Sequence, residues 1–313
     1  MTGVQTCALP ISPDFSVGAL EALIAAGHRI TAVVTQPDKP KGRGKEVQYP
    51  PVKECALKHG IEVFQPAKIK APEAVEVLRG YEADLFVVAA FGQILSQEIL
   101  DMPKYGCINI HASLLPKYRG AAPIQWAILD GESYTGVTIM QMNAGMDTGD
   151  ILTSVKVEIT PEDTGDSLFD KLCIAGAKLC VRTIPMIEQG SLVPQPQNEA
   201  EATYAGKISK AIGRIDWTES AEVIGRKVRG LNSWPSAYTQ FHGKQLKIWK
   251  ASVSGETKNG AAGTIHAVTK DTFQVNTGDG VLTVSEVQLE GKKRMPVRDF
   301  LLGYSVAAGE TVG

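Results

Sequence analysis

From residue 13 to about 190, short apolar runs of strand length alternate with stretches of helical periodicity, and nothing else in the chain narrows its fold so far. "ITAVVT" (30–35), "DLFVVAA" (84–90) and "GCINIHAS" (106–113) are rich in β-branched residues, as buried parallel strands are. Between them "FSVGALEALIAAG" stops at Gly27, "PPVKECALKHG" opens on proline and stops at Gly60, and "APEAVEVLRG" follows. In "DTGDSLFDKLCIAGAKLCVRTIPMIEQG", Leu168, Leu172, Ala175 and Leu179 keep one helical face. Such alternation predicts an α/β class: a Rossmann-like, mostly parallel sheet with helices on both faces.

The pattern breaks at 191–209, a polar, Pro-containing stretch that reads as a linker. Beyond it lie one helix ("AEVIGRKVRGLNS") and five strand-like runs: "AYTQFHG", "QLKIWKASV", "AGTIHAV", "TFQVNTG" and "GVLTVSEVQL". We therefore expect an α/β domain over 1–190, a linker over 191–209, and a small antiparallel, OB-like β-barrel over 210–313.

Composition excludes several classes. The chain of 313 residues is 43% hydrophobic and 21% charged, the balance of a globular protein. No run approaches the roughly 18 apolar residues of a membrane span, so no membrane role is expected. Cys7, Cys55, Cys107, Cys173 and Cys180 are odd in number and scattered, which suggests reduced thiols in the cytoplasm. Neither they nor the five histidines fall at metal-ligand spacing, so no metal is expected. The net charge of −2 is unevenly spread: from Ala205 onward 15 Lys and Arg face 10 Asp and Glu. A basic end on an acidic body hints at a polyanionic partner.

The segment densest in chemistry is "GCINIHASLLPKYRGAAPIQWAILDGE" (106–132), followed by "GVTIMQMNAGMDTGD" (136–150). Asn109 and His111 stand two apart at the end of an expected strand, so their side chains leave one face. In an open parallel sheet, ligands bind at the carboxyl ends of strands. Asn offers a neutral donor to an oxygen gaining charge. His, with an unperturbed pKa of about 6.5, can take or relay a proton. Asp147, in the Gly-punctuated turn "AGMDTGD", could bring a carboxylate to orient the ring. An Asn-x-His pair alone is a weak signal, and Cys107 beside it reads as packing. Trp217, Trp234 and Trp249 sit among apolar sequence neighbours and read as core.

"INIHASLLPKYRGAAPIQWAI", "GVTIMQMNAGMDTGDIL", "TQPDKPKGRGK", "FGQIL", "RIDW", "RGLNSWPSAY" and "GKKRMPVRDFLLGY" together resemble the methionyl-tRNA formyltransferase family of folate-dependent formyltransferases, from about Pro13 to Gly303. The resemblance implies transfer of a formyl group from the cosubstrate 10-formyltetrahydrofolate to the methionine α-amino group of initiator methionyl-tRNA, in translation initiation; a monomer is expected, though no residue pattern fixes it. It implies Asn109, His111 and Asp147 as the catalytic trio: Asn109 on the formyl oxygen, His111 assisting loss of the amine proton, Asp147 orienting His111. Ser113, Leu114, Leu115 and Pro116 match the folate-holding segment. The stretch 36–53 resembles the family's tRNA-contacting insertion, and its Lys39, Lys41, Arg43 and Lys45 suit phosphates. Lys207 and Lys210 are further candidates, and Arg226, Lys227, Arg229, Lys292, Lys293 and Arg294 are basic positions that could follow the tRNA backbone.

Two other readings stay open: a formyltransferase acting on a small amine, and a non-catalytic RNA-binding protein. A dinucleotide-dependent oxidoreductase is disfavoured, since no GxGxxG opens the first helix. The first twelve residues fit none of these. "VQTCALPI" would have to be the first, central strand, yet Pro10 lacks an N–H for the ladder. "MTGVQTCALPIS" also resembles the translation of a sequencing-library adapter read from a GTG start. We expect it to stand where the natural first strand belongs, with Ile11 and Ser12 replacing the family's Gly-Thr before Pro13.

Overall fold

A computed structural model describes residues 5–10, 15–41, 46–89 and 92–313. The chain divides into two units. The first comprises Met1–Pro123, Tyr134–Glu158 and Phe169–Ala205; the second comprises Ile124–Ser133, Ile159–Leu168 and Gly206–Gly313.

The first unit begins with strand β1 (Gln5–Pro10), helix α1 (Phe15–Ala25) and strand β2 (Arg29–Val34). Gly27, at φ 83°, ends α1: its N–H donates to the Ile24 carbonyl at 3.0 Å, and that of His28 to the Leu23 carbonyl at 3.1 Å. Next come β3 (Lys39–Lys41), β4 (Glu46–Gln48), α2 (Pro51–Lys58), β5 (Val63–Phe64), α3 (Pro72–Gly80) and β6 (Leu85–Ala89). Both α2 and α3 start with proline at their first position, where the missing N–H has no helical partner to lose. They are followed by α4 (Gln97–Leu100), β7 (Cys107–His111), β8 (Arg119–Gly120), α5 (Pro123–Leu129), β9 (Tyr134–Gln141), β10 (Ile151–Glu158), α6 (Gly165–Glu188) and β11 (Tyr204–Ala205).

Seven strands form one sheet in the order β10-β9-β7-β6-β1-β2-β5. The run from β7 to β5 is parallel, while β9 and β10 add an antiparallel edge. Every residue of β6 is buried, which explains its unbroken apolar run. Phe86, Val88, Ala32 and Val34 pack with Leu78, Ile99 and Cys107 on one side, and Leu20 and Val33 with Val52 and Ala56 on the other. Leu168 and Leu172 are fully buried on α6 and Leu179 nearly so, while Ala175 is half-buried. At Gly176 a Cβ would lie 3.0 Å from Ile110 Cγ2, so a glycine there lets α6 lie close against β7.

Of the opening stretch, Gln5–Pro10 forms an interior strand of this sheet. β1 pairs with β2 on one side and with β6 on the other. Two features accommodate its sequence. The register against β2 shifts between Thr6 and Cys7, and Pro10 is the last residue of the strand, where few ladder bonds remain to be lost. At the other end the Gln5 N–H donates to Asp84 Oδ2 at 3.0 Å, and the Asp84 N–H returns to the Gln5 carbonyl at 2.8 Å.

The stretch 191–209 is hydrogen-bonded structure. Gln195 bridges to Ile151, Glu199–Glu201 forms a 3₁₀ turn, and β11 pairs in parallel with β8.

In the second unit, α7 (Ala221–Gly230) precedes β12 (Ala237–Phe241), β13 (Lys244–Ser254), β14 (Ile265–Val268), β15 (Phe273–Asn276), β16 (Val281–Leu289), β17 (Met295–Pro296) and α8 (Val297–Leu301). The strands form an antiparallel sheet, β12-β13-β16-β15-β14 with β17 beside β16, around a core that includes Ile224, Val228, Ile248, Phe273, Val284 and Phe300. Of the three tryptophans expected in the core, only Trp217 belongs to it. Trp234 is 56% exposed, and Trp249 is half-buried under the Arg294 guanidinium, 4.5 Å from its ring centre. The alternation along β13 turns Leu246 and Ile248 inward and leaves Trp249 on the other face. Apolar neighbours in sequence are not neighbours in space.

Candidate active site

β7 delivers Asn109 and His111 from alternate positions, and both meet Asp147. Asn109 donates from Nδ2 to Asp147 Oδ1 at 3.4 Å, and His111 Nδ1 lies 3.7 Å from Asp147 Oδ2. The same Oδ2 accepts the Gly120 N–H at 2.8 Å. His111 is buried, with Nε2 bonded to the Tyr118 carbonyl at 2.9 Å. A carbonyl only accepts, so Nε2 carries the hydrogen, and Nδ1 is the nitrogen left to exchange a proton, on the carboxylate's side.

Asp147 reaches this place because β9 and β10 form an antiparallel pair whose connection carries it. The turn is tight: a Cβ on Gly149 would fall on the Gln141 carbonyl oxygen, and Asp147 itself holds φ 54°. That region is sparsely populated by residues other than glycine, and Asp is among those that tolerate it best.

Asn109 is incompletely satisfied. Its Oδ1 is buried with no partner among the described residues, and its bond to Asp147 is at the long end of useful geometry. Buried amides are normally fully bonded, so one with spare capacity at the end of a strand suits a polar group brought by a ligand.

The segment after His111 is held by internal bonds. Ser113 Oγ donates to the Lys117 carbonyl at 2.6 Å, Thr138 Oγ1 donates to the Ser113 carbonyl at 2.7 Å, and the Leu115 N–H donates to Thr138 Oγ1 at 3.1 Å. Ser113 and Leu115 are buried, whereas Leu114 and Pro116 are half-buried and present the more accessible surface. The Ser113 hydroxyl thus shapes the loop. Cys107 is inert, as expected: its thiol faces the Ile99 and Leu100 carbonyls, each at 3.7 Å, and burial pushes its pKa up to about 12.

Lys39 and Lys41 lie on β3, which pairs with β4 as a two-stranded hairpin, while Arg43 and Lys45 fall outside the described residues. The hairpin's base is tied down. Asp38 accepts from Lys53 Nζ at 2.6 Å and from Gln65 Nε2 at 2.8 Å, and Gln65 also reaches the Gln36 carbonyl. The Gln65 bond and then Lys53 hold the Asp38 carboxyl below the usual carboxylate range. Lys207 and Lys210 are exposed in the second unit. Of the further basic positions, Arg226, Lys227, Arg229 and Arg294 are committed internally, to the Leu129 carbonyl, Glu219, the Asp163 carbonyl and Glu286. Lys292 and Lys293 are exposed.

Several residues of the site carried no sequence signal. Thr138 is chosen by the register that pairs it with His111. The Gly120 N–H and the Tyr118 carbonyl are backbone groups of a loop, which no residue-type pattern reveals. Arg119, Gln197 and Glu199 meet across 78 to 80 residues of sequence.

The sequence matches the family described as "Formyl transferase" over residues 12–184 and its "C-terminal domain" over 207–305. It is 58% identical over 298 residues to the methionyl-tRNA formyltransferase of Agathobacter rectalis, covering 95% of this chain and 96% of that protein. The chain belongs to the methionyl-tRNA formyltransferase family. A second member, from Lachnospira eligens, is 51% identical across 96% of this chain and 98% of its own length. Among solved structures, this formyltransferase resembles the sugar 3N-formyl transferase WlaRD, with a TM-score of 0.67 at 20% identity over 94% of this chain and all of that one. It also resembles HypX from Aquifex aeolicus in complex with tetrahydrofolic acid, with a TM-score of 0.65 at 19% identity over 96% of this chain. The formyltransferase chain spans about half of HypX, 47% of that protein's length. At these identities the likeness is one of fold.

Proposed function

We propose that the chain, as a cytoplasmic monomer, transfers the formyl group of 10-formyltetrahydrofolate to the α-amino group of methionine on initiator methionyl-tRNA. The observation that carries this reading at the site is the convergence of Asn109, His111 and the Asp147 carboxylate at the end of β7. The choice of acceptor rests on near full-length identity of 46–58% to methionyl-tRNA formyltransferases.

Each residue then has a task fitted to its chemistry. The new bond joins the formyl carbon to the methionine nitrogen, the bond from that carbon to the donor nitrogen breaks, and the proton given up by the amine passes by way of His111 to that departing nitrogen. Asn109 donates to the formyl oxygen as it gains charge, through the Nδ2 hydrogen that Asp147 does not take, while its unpartnered Oδ1 can only accept. His111 takes the amine's proton at Nδ1 and thereby gains an N–H directed at Asp147 Oδ2, which the Gly120 N–H holds in place. A free α-amino group has a pKa of about 7.7–8.0, so the base need only be modest. Leu114 and Pro116 line the donor's side, with Ser113 and Leu115 shaping that wall. Lys39, Lys41, Arg43 and Lys45, with Lys207 and Lys210, meet tRNA phosphates.

The test is formation of formyl-methionyl-tRNA from the chain, the formyl donor and charged initiator tRNA. Product that is lost in His111→Ala supports the reading. Transfer to a small amine but not to charged tRNA would replace it with the small-acceptor alternative, and tRNA binding without turnover would leave an RNA-binding protein.

A further inference from the structure

Asp147 is held from both ends, and only one end belongs to the trio. At its carboxylate it meets Gly120, Asn109 and His111. On its backbone side stands Gln197, from the stretch 191–209. Gln197 Nε2 donates to the Asp147 carbonyl at 2.8 Å and to the Gly149 carbonyl at 2.7 Å, spanning the turn that carries the carboxylate. The amide is oriented by Arg119, whose Nε donates to Gln197 Oε1 at 3.0 Å. Arg119 is fully buried, and Glu199 clamps its guanidinium with two bonds of 2.9 and 2.7 Å. Glu199 takes one N–H from each terminal nitrogen, and the Nε N–H, in the same plane, points at Gln197.

The loop closes on itself. The residue after Arg119 is Gly120, whose N–H bonds the Asp147 carboxylate, and a Cβ there would lie 2.8 Å from the Ala205 carbonyl oxygen. One short segment thus supports the carboxylate through its backbone and the turn's carbonyls through its side chain and Gln197. The conformation it supports, Asp147 at φ 54°, needs external contacts to persist in a residue other than glycine.

We propose that Gln197, set by the Arg119–Glu199 pair, is a positioning residue for formyl transfer: it fixes the Asp147 turn so that the carboxylate meets His111 and Asn109. This rests on the reading of the trio as the catalytic centre. A glutamine suits the task because it must accept from a cation and donate twice to carbonyls. Glutamate can keep the first contact but cannot make the other two.

The experiment compares the full-length chain with Gln197→Ala and Gln197→Glu, reading steady-state formylation of charged initiator tRNA and hydrogen exchange of the Gly120 amide. Both variants should lose about 10- to 100-fold in kcat, with KM for tRNA and for the formyl donor within about threefold of wild type, as expected for a misplaced group that does not touch substrate. The Gly120 amide should exchange at least about 10-fold faster in both, while the Ile139 amide inside the sheet is unchanged. Gln197→Glu separates positioning from support, since a residue that merely partners Arg119 would keep wild-type kcat with glutamate. Wild-type kcat in Gln197→Glu, or unchanged Gly120 exchange in Gln197→Ala, overturns the proposal. A wild-type chain that makes no formyl-methionyl-tRNA counts against the function instead, and the Gly120 exchange rate still decides whether Gln197 holds the turn.

Discussion

At the scale of single residues, the candidate site is marked by capacity left unused. Asn109 has an orphaned carbonyl oxygen and one long bond, whereas its neighbours Ile108 and Ile110 are spent on packing. Asn109→Ala should lower turnover by about 10²–10³, the usual loss for one donor to a developing oxyanion. The melting temperature should stay within a few degrees, since the amide's native bonds are few; calorimetry beside the kinetic assay checks both. Cys107 and Cys180 show the opposite use of burial. Each thiol is pushed up to about 12 from 9.0, so between those values the unfolded chain ionises and the folded one does not. The stability they protect is complete below pH 9 and falls as pH rises, by about 1.4 kcal/mol per pH unit for each thiol. Urea midpoints at pH 8 and 10 should show that fall, and Cys107→Ala should make it shallower. Neither cysteine should be alkylated in the native chain at pH 8, as mass spectrometry of iodoacetamide-treated protein can show.

At the scale of elements, short connections carry the candidate residues and regular structure aims them. Lys39 and Lys41 belong to the β3–β4 hairpin, and Asp38, just before it, is bonded to Lys53 and Gln65. Asp38→Ala should therefore raise KM for tRNA several-fold and leave KM for the formyl donor unchanged, measured by titrating each substrate separately. The β9–β10 connection has no room for error: Gly149→Ala places a methyl against the Gln141 carbonyl, displaces the turn carrying Asp147, and should lower kcat by at least about 10-fold without unfolding the sheet. Circular dichroism beside the rate tells these outcomes apart.

At the scale of the whole molecule, the chain is interleaved. Ile124–Ser133 and Ile159–Leu168 precede most of the second unit in sequence yet belong to it. Within that unit Arg226 donates to the Leu129 carbonyl and Arg229 to the Asp163 carbonyl. A chain ending at Ala205 should leave these segments without partners and be far less stable than the full chain, or insoluble; expression followed by thermal melting tests this. β1 is the other weak point. It is an interior strand, yet it starts with Gln5 and Thr6 and ends on Pro10. Replacing residues 1–12 by an apolar β-branched strand ending in Gly-Thr should raise the melting temperature by several degrees, because such a strand restores apolar burial and the ladder N–H that Pro10 lacks.

How much of this was legible in the residues depends on the range of the interaction involved. Periodicity and terminal signals are local, so the strands at 29–34, 85–89 and 107–111, the proline starts of α2 and α3 and the Gly27 stop could be read directly. The Asn109–His111 spacing likewise put both side chains on one face before any contact was known. The rest was decided by contacts distant in sequence. Gln5–Pro10 became a strand against its own propensity because β2 and β6 enclose it. Trp249 left the core because the register of β13 had already given the inward positions to Leu246 and Ile248. The stretch at 191–209, polar and proline-containing and so linker-like by composition, supplies Gln197 and Glu199 to a buried arginine nearly 80 residues earlier. A desolvated guanidinium must find its partners wherever the fold places them, and no local pattern records where that is.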